Sequence, residues 1–445
     1  MEKLGIEHIP PSSRHGRSLN QFTLWLASNL TVADYSLGAI LFTLGLPLNE
    51  LIIIIIIGNI FGALLVGLLA AMGPEFGYPQ MMISRGVFGG LGNVFFAAAN
   101  WVSTIGWFSI NAIICGYLLS FAVPRMPLQL SIVLSVAIQF IIALYGYDAI
   151  HKMEKWLSIA LGLLFTAAII MSITAIHGAH VTGGSINPTA IAIGLATTFS
   201  YIMSWGPYAS DYSRYLPEKT SKLSIIVSAM LGGAIASALS EAVGLFASIA
   251  MNNASGSPVV LAQLMGEYGS PYAVLAIIML FLGALAANVL NLYTNSLSAV
   301  VLYPRIKRQW ATILAVAAGI ALALIGGLNF ENYFEGFLFL LDYWITPWIG
   351  VIIGSYYLRR SVTWRDVETP IKARTRPLLA YIIGLLISVP FMNLDAATGG
   401  LSAIHWPALL DNGWSRHQLL HKLRRGPGSL NYIAFSAFNG IFCIK

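Results

Sequence analysis

Long apolar runs recur along most of this 445-residue chain and are separated by short polar segments. A run of about 20 apolar residues forms an α-helix long enough to cross a bilayer. The strict apolar–polar alternation of barrel strands is absent, and lipid tolerates only helices or closed barrels. The pattern therefore predicts an all-α polytopic membrane protein with about 11–12 transmembrane helices. Eleven are predicted near residues 20–45, 50–72, 91–122, 128–147, 156–177, 188–211, 223–250, 271–300, 310–328, 334–358 and 378–393.

The composition excludes a soluble protein and several kinds of site. Hydrophobic residues make up 57% of the chain and charged residues 9%, whereas soluble domains carry roughly 25% charged residues. Two cysteines, Cys115 and Cys443, provide neither a metal cluster nor a disulfide framework. The first 18 residues are polar and lack the short apolar core of a removable signal peptide. No cofactor is expected.

The basic residues predict the orientation of the chain. Nearly all Lys and Arg residues of the predicted loops fall on one side of the membrane, against Arg125 alone on the other. The positive-inside rule makes the basic side, with the N-terminus, cytoplasmic. The net charge of +6 is then explained by topology, so no nucleic-acid partner is expected. We predict a multi-pass protein of the plasma membrane.

The segment "SYIMSWGPYASDYSRYLP" (200–217) places Gly206 and Pro207 inside the sixth predicted helix. Five helices precede it, so two successive five-helix units would lie in opposite orientations, as in inverted-repeat transporters. The first helix is polar at the matching depth, with Asn29, Thr31, Asp34 and Ser36. Both leading helices are therefore predicted to be broken around a binding site. A proline kink that only shapes helix packing is the alternative.

The break predicts a division of the chain. A cytoplasmic N-terminus (1–19) precedes the first inverted repeat (20–177, helices 1–5). The second repeat (188–358, helices 6–10) is followed by a basic cytoplasmic loop (359–377). A peripheral helix and a tail of atypical composition occupy 378–445.

Aromatic and amide side chains at mid-membrane predict the substrate. Trp107 and Asn111 share one helical face, and Asn288, Asn291 and Asn295 form a stripe on the eighth helix. Two Trp faces can hold a flat ring, and amides offer both donors and acceptors. A planar, neutral, polar heterocycle fits this chemistry. The alternatives are helix–helix hydrogen bonding for the amides and packing for the Trp residues.

Several segments resemble the nucleobase–cation symporter-1 family, above all its purine–cytosine permease branch. They are "SWGPYASDYSRYLP", "GPEFGYPQMMISRGVFG", "YGYDAIHKMEKW", "ANVLNLYTNSLSA" and "LLDYWITPWIGVIIGSYYLRR", in family order from about residue 15 to 360. The resemblance implies the leucine-transporter fold, a 5+5 inverted repeat, and uptake of nucleobases coupled to protons or sodium. It implies a substrate site formed by Trp107, Asn111, Trp205, Gly206, Asn288, Asn291, Ser296, Asp34 and Ser36. The tail after about Gly400 does not resemble the family.

The coupling ion is predicted from one departure from the family pattern. Sodium-coupled members carry a Ser/Thr pair where this chain has Ala286 and Ala287, and a methyl group cannot ligate a hard cation. Acids inside spans suggest proton paths, and Glu241 and Asp34 are the candidates for proton coupling. We predict proton-coupled symport of nucleobases, such as cytosine or purines, by alternating access.

Other functions fit the sequence less well. A sodium-coupled symporter of hydantoin- or allantoin-like compounds, or of amino acids, is the alternative on the same fold, and a passive facilitator is another. An enzyme is not expected, because the chain has no nucleophile elbow, catalytic carboxylate pair or His/Cys metal spacing. The preferred heterocycle and the oligomeric state are left open.

Overall fold

The computed structural model describes residues 5–143, 147–176, 185–253, 257, 259–327 and 330–389, and the regular secondary structure among them is helical. The predicted tail, with Cys443 and any twelfth span, lies outside them. The α-helices are α1 Leu19–Asn29, α2 Val32–Thr43, α3 Leu48–Ala70, α4 Gly73–Phe76, α5 Gln80–Phe88, α6 Val94–Ala122, α7 Leu128–Ala143, α8 Tyr147–Ala175, α9 Pro188–Met203, α10 Ala209–Ser213, α11 Lys222–Met251, α12 Val259–Glu267, α13 Ser270–Leu302, α14 Arg308–Gly326, α15 Phe330–Ile353, α16 Trp364–Glu368 and α17 Thr375–Ser388.

Each of the eleven predicted spans corresponds to a helix or to a broken pair of helices. Seven helices of the described residues are long and apolar enough to cross a membrane, and three shorter apolar helices are Val32–Thr43, Leu128–Phe140 and Thr375–Ser388. The pairs α1–α2 and α9–α10 form the first and sixth spans. The all-α polytopic prediction is confirmed.

The first span breaks between α1 and α2, at Leu30 and Thr31. The backbone of Thr31 is extended, and its side chain accepts a hydrogen bond from the backbone amide of Asp34 (3.2 Å). Thr31 thus caps α2 as a threonine at this position commonly does. The predicted break is confirmed.

The sixth span breaks after α9. The chain passes through a 3₁₀ turn, Gly206–Tyr208, before the short helix α10. Pro207 has no backbone N–H to donate, and its ring restricts the chain, so a continuous α-helix is unfavourable here. This break also lies where the sequence predicts it.

Helix α2 and helix α11 touch through their backbones. A Cβ atom added to Gly38 would lie 1.8 Å from the carbonyl oxygen of Glu241, and one added to Gly244 would lie 1.9 Å from that of Tyr35. Only glycine permits this approach. Small residues at such crossings let membrane helices pack closely.

One local prediction needs correction, and one helix was not predicted. The fifth helix begins at Tyr147 rather than near 156, so Lys152 and Lys155 belong to its first turns and not to a preceding loop. A short amphipathic start with exposed lysines escapes a search for apolar runs. The segment between the seventh and eighth spans contains the helix α12, whose apolar residues are buried against the bundle.

Candidate substrate site

The two breaks lie against each other. The indole Nε1 of Trp205 donates a hydrogen bond to Oδ1 of Asn29 (2.8 Å). The hydroxyls of Thr31 and Tyr201 are hydrogen-bonded at 2.8 Å. Unwound backbone at membrane depth is tolerated only where protein or a polar cavity satisfies it. The breaks therefore create one shared polar region.

Aromatic side chains surround this region. Trp205 has near-perpendicular contacts with Trp25 (ring centroids 5.6 Å apart) and Tyr208 (5.3 Å). Trp107, on α6, has perpendicular contacts with Tyr201 (5.4 Å) and Phe337 (5.3 Å). Such edge-to-face contacts are favourable and orient the ring planes. Each of the two Trp side chains, called the aromatic pair below, is only 6% exposed.

Four amide side chains from three helices form a connected group, called the amide cluster below: Asn111, Gln139, Asn288 and Asn291. Oδ1 of Asn288 accepts hydrogen bonds from Nδ2 of Asn111 (3.0 Å) and Nδ2 of Asn291 (3.2 Å). Nδ2 of Asn288 donates to the carbonyl of Phe108 (3.1 Å) and to Oε1 of Gln139. The polar atoms of Asn288 are thereby engaged within the protein.

Two acceptors of the amide cluster have no partner. Oδ1 of Asn111 and Oδ1 of Asn291 have no hydrogen bond within the described residues, although both side chains are 1% exposed. Buried polar groups are nearly always hydrogen-bonded. These two oxygens are therefore acceptors that a ligand can satisfy. Nε2 of Gln139, a donor, also has no partner within the described residues.

The rest of the predicted polar set lies elsewhere. Asn295 donates to Thr104 (2.7 Å) and the carbonyl of Trp101 (3.0 Å), so the stripe on the eighth helix divides after Asn291. Ser296 donates to the carbonyl of Tyr293 and accepts from Arg308 (3.2 Å). Ser36 donates to the carbonyl of Val32 within α2.

The two acids proposed for proton coupling lie side by side. Asp34 and Glu241 are fully buried. The Asp34 carboxyl lies beside Ser237 and Glu241 without meeting the geometry of a hydrogen bond to a described residue. Oε2 of Glu241 accepts from Nδ2 of Asn59 (2.6 Å). Burial of a carboxylate with unpaired oxygens is costly. They are called the acid pair below.

Helix α13 passes directly behind the first break. A Cβ added to Gly283 would lie 2.2 Å from the carbonyl oxygen of Leu30. Ala286 and Ala287 follow about one turn later and are buried. Their side chains contribute no oxygen beside the first break.

Residues from several distant segments contact α10 and Arg214, which follows it. The Asp211 carboxylate accepts from the backbone amide of Gln80 (2.8 Å) and from Thr294 (2.7 Å). The buried guanidinium of Arg214 donates to the carbonyl of Gly5 (2.7 Å) and to Tyr293 (3.1 Å). These contacts fit a structural role for both residues.

The sequence analysis did not identify three polar residues of this region: Gln139, Asn59 and Tyr201. Gln139 and Asn59 lie in the apolar parts of α7 and α3, whose other amide side chains are in the first turn. That isolation is the signal that could have marked them, because an amide in hydrocarbon needs a partner. Their partners are far along the chain, so no spacing reveals them.

Known proteins resemble this chain over most of its length. A protein of Bacillus subtilis named putative purine-cytosine permease YxlA is 29% identical over 420 residues, covering 90% of each chain. Purine-cytosine permease FCY21 of Saccharomyces cerevisiae is 26% identical over 391 residues, covering 82% of this chain and 73% of that protein.

Two solved structures share the fold. Mhp1, described as a nucleobase-cation-symport-1 family transporter in a closed conformation with bromovinylhydantoin bound, superposes with a TM-score of 0.74 at 16% identity over 99% of both chains. MhsT, solved with L-phenylalanine, gives 0.63 at 15% identity over 87% of this chain and 99% of MhsT. The predicted leucine-transporter fold, with its 5+5 inverted repeat, is confirmed.

These relatives are transporters, so the chain is a multi-pass membrane transporter and not an enzyme. Residues 8–406 match the family described as permease for cytosine/purines, uracil, thiamine, allantoin, and the chain therefore belongs to that family.

Proposed function

We propose that this protein imports a planar nucleobase, such as cytosine or a purine, or a related heterocycle. The observation that carries the proposal is the meeting of both helix breaks beside the aromatic pair and the amide cluster. Trp107 and Trp205 would hold the ring between them, because aromatic stacking is worth about 1–3 kcal/mol per base. Asn111 and Asn291 would bind its polar edge. The names of the relatives support the same substrate class.

The proposed roles of the other predicted residues differ. Gly206 would bring backbone groups of the second break to the substrate, and Asn288 would orient its neighbours. Asp34 would act in coupling, and Ser36 would support the first break. Ser296 is left out of the proposed substrate site because its hydroxyl binds Arg308.

We propose protons as the coupling ion, with the acid pair as their carrier. A proton that neutralises Asp34 or Glu241 would cross with a neutral base in an alternating-access cycle. Ala286 and Ala287 support this choice over sodium, because sodium requires oxygen ligands. The protein would lie in the plasma membrane with a cytoplasmic N-terminus, and residues 20–177 and 188–358 would be its two repeats.

Uptake into proteoliposomes tests the proposal. Radiolabelled cytosine and adenine are offered to purified protein with an inward proton gradient. We expect uptake of at least one of them, blocked by excess unlabelled heterocycle and unaffected by excess leucine. Competition by leucine and none by a panel of nucleobases, hydantoin and allantoin would overturn the substrate class. Uptake that requires external sodium at constant pH would instead support the sodium-coupled alternative.

A further inference from the structure

The orientation of the amide cluster follows from atoms that can only accept hydrogen bonds. A backbone carbonyl oxygen has no proton to donate. Asn288 approaches the carbonyl of Phe108 (3.1 Å), and Asn111 approaches that of Trp107 (3.1 Å). The atom of each amide that faces these carbonyls must therefore be the nitrogen.

The remaining orientations are then determined. Since the nitrogen of Asn288 also faces Gln139, the Gln139 atom in contact with it must be the acceptor Oε1. The oxygen of Asn288 faces both Asn111 and Asn291, so these two must turn their nitrogens towards it. Their own oxygens point away from Asn288 and have no partner within the described residues.

We propose that Gln139, acting through Asn288, makes the substrate site selective for ligands that donate hydrogen bonds. This inference rests on the proposed function and adds the feature of the substrate that is selected. Free amides usually offer a donor and an acceptor together. Here the NH₂ groups of Asn111, Asn288 and Asn291 are used inside the protein, and the buried carbonyl oxygens of Asn111 and Asn291 are offered. The NH₂ group of Gln139 has no partner within the described residues and belongs to a side chain that contacts Asn288 through its oxygen. A matching heterocycle must present N–H groups, such as the exocyclic amino group of cytosine or adenine together with a ring N–H.

Gln139 is a positioning residue in this arrangement and lies on α7, a helix that supplies none of the predicted substrate contacts. It holds the nitrogen of Asn288 in place from the side opposite Asn111 and Asn291. Without this acceptor, Asn288 keeps only the Phe108 carbonyl as a partner for its NH₂ group. The Phe108 carbonyl still requires the Asn288 nitrogen on its side. With one N–H left buried and unpaired, however, the Asn288 amide is held less firmly, so the oxygens of Asn111 and Asn291 are positioned less well for the substrate.

Matched ligands test, on the wild-type protein, whether the site accepts hydrogen bonds from the ligand or donates them to it. Inhibition of uptake is measured for adenine, 6-methylpurine (which lacks the amino donor) and 1-deazaadenine (which lacks a ring acceptor). The pyrimidine series is cytosine, 4-methylpyrimidin-2-one and 3-deazacytosine. We expect loss of the amino group to weaken binding about tenfold or more, because an oxygen is left buried without a partner, and loss of the ring acceptor to change it less than about threefold. If loss of the ring acceptor weakened binding more than loss of the amino group, the proposed selectivity for hydrogen-bond donors would be overturned. Absence of binding by every base would overturn the proposed function as well.

Variants test the role of Gln139. Gln139→Met keeps an unbranched side chain of similar volume but removes the carbonyl, and we expect it to reduce the preference for adenine over 6-methylpurine to about threefold or less. Gln139→Glu retains an acceptor oxygen and should restore the wild-type preference. The control is Ser135→Ala, which removes a buried hydroxyl one turn earlier on α7. If a folded Gln139→Met protein kept the wild-type preference for adenine over 6-methylpurine, Gln139 would not be the residue that positions Asn288.

Discussion

Trp205 and Asn29 join the two broken helices through a single hydrogen bond of 2.8 Å between the indole nitrogen and the amide oxygen. The bond fixes the plane of an indole that belongs to the proposed aromatic pair. The proposed function therefore gives Trp205 two separable tasks, which are to hold the breaks together and to stack on the substrate. Substitutions of different size can distinguish them.

We expect Trp205→Phe to retain stacking and lose only the hydrogen bond, which costs about 0.5–1.5 kcal/mol. Trp205→Ala and Trp107→Ala should weaken substrate binding by about 1–3 kcal/mol through loss of the stacking surface. Binding is measured by competition for uptake of a radiolabelled base. Trp310→Ala is the control, because Trp310 is exposed on α14. Unchanged affinity in both alanine variants at the aromatic pair would refute the stacking role.

Asn291→Ala should weaken binding by about 1–3 kcal/mol, because a donor of the bound base would be buried without a partner. Asn111→Ala should change the order of preference among bases. The measurement is a competition series with cytosine, adenine, hypoxanthine and uracil. Asn295→Ala is the matched control on the same helix, since Asn295 binds Thr104 and the Trp101 carbonyl instead of the amide cluster. Normal transport with unchanged selectivity in Asn291→Ala would contradict the assignment.

Proton coupling predicts that uptake rises as external pH falls, collapses with a protonophore and is indifferent to replacement of sodium by choline. Glu241→Gln or Asp34→Asn should abolish the pH dependence and concentrative uptake while leaving exchange of substrate down its gradient. The physical reason is that an amide fills the site but cannot take up or release a proton. Initial rates and counterflow in proteoliposomes measure the two activities separately.

Glu267→Gln provides the comparison for the acid pair, because Glu267 is an exposed acid on α12. It should keep wild-type pH dependence. Concentrative, pH-dependent uptake in both variants of the acid pair would exclude these residues as the proton carriers. The fold and the substrate class would be unaffected by that result.

The short helix α16 has a pH-dependent cap. The carboxylate of Asp366 accepts hydrogen bonds from the backbone amide (2.7 Å) and hydroxyl (2.8 Å) of Thr363 and contacts Arg374. Partial burial opposes ionisation, but the hydrogen bonds from Thr363 and the Arg374 charge outweigh it and lower the pKa of Asp366. The stabilisation is therefore present above the ordinary pKa of about 3.9 and is lost as pH falls through the lower folded pKa.

We expect Asp366→Ala to reduce the local stability of α16 at pH 7 by about 0.5–2 kcal/mol, as for other lost caps. Amide hydrogen exchange of α16 measures the effect. Arg365→Ala, an exposed change on the same helix, should leave exchange within about 0.5 kcal/mol of wild type. Equal protection of α16 in Asp366→Ala and wild type at pH 7 would show that the cap does not stabilise this helix.

The helix breaks could be predicted because their causes are local. Pro207 interrupts the sixth span by its own chemistry, and Thr31 is a residue type that caps helices. The first break also follows from the repeat, since five preceding helices make the first and sixth spans counterparts. Length and hydropathy were sufficient to predict the remaining spans to within a few residues, apart from the start of α8.

The site was predicted less completely, because its decisive contacts join distant parts of the chain. Asn111 and Asn291 have the spacing of residues on helix faces, but only the folded chain shows that Asn288 joins them. Helical spacing also placed Asn295 with Asn291, whereas packing against α6 turns it to Thr104. Gln139 reaches Asn288 across 149 positions of sequence, and no periodicity connects them.

The glycine contacts between α2 and α11 have a consequence for how the acid pair can be reached. Gly38 and Gly244 bring two backbones together at successive points, and interfaces packed this tightly do not slide continuously. Asp34 and Glu241 lie on these two helices, so they move together as parts of a single rigid body. Under the proposed proton coupling, loading and release of the proton would then not depend on separating the two acids. In the proposed alternating-access cycle, water would reach them as neighbouring helices move away first on one side of the membrane and then on the other.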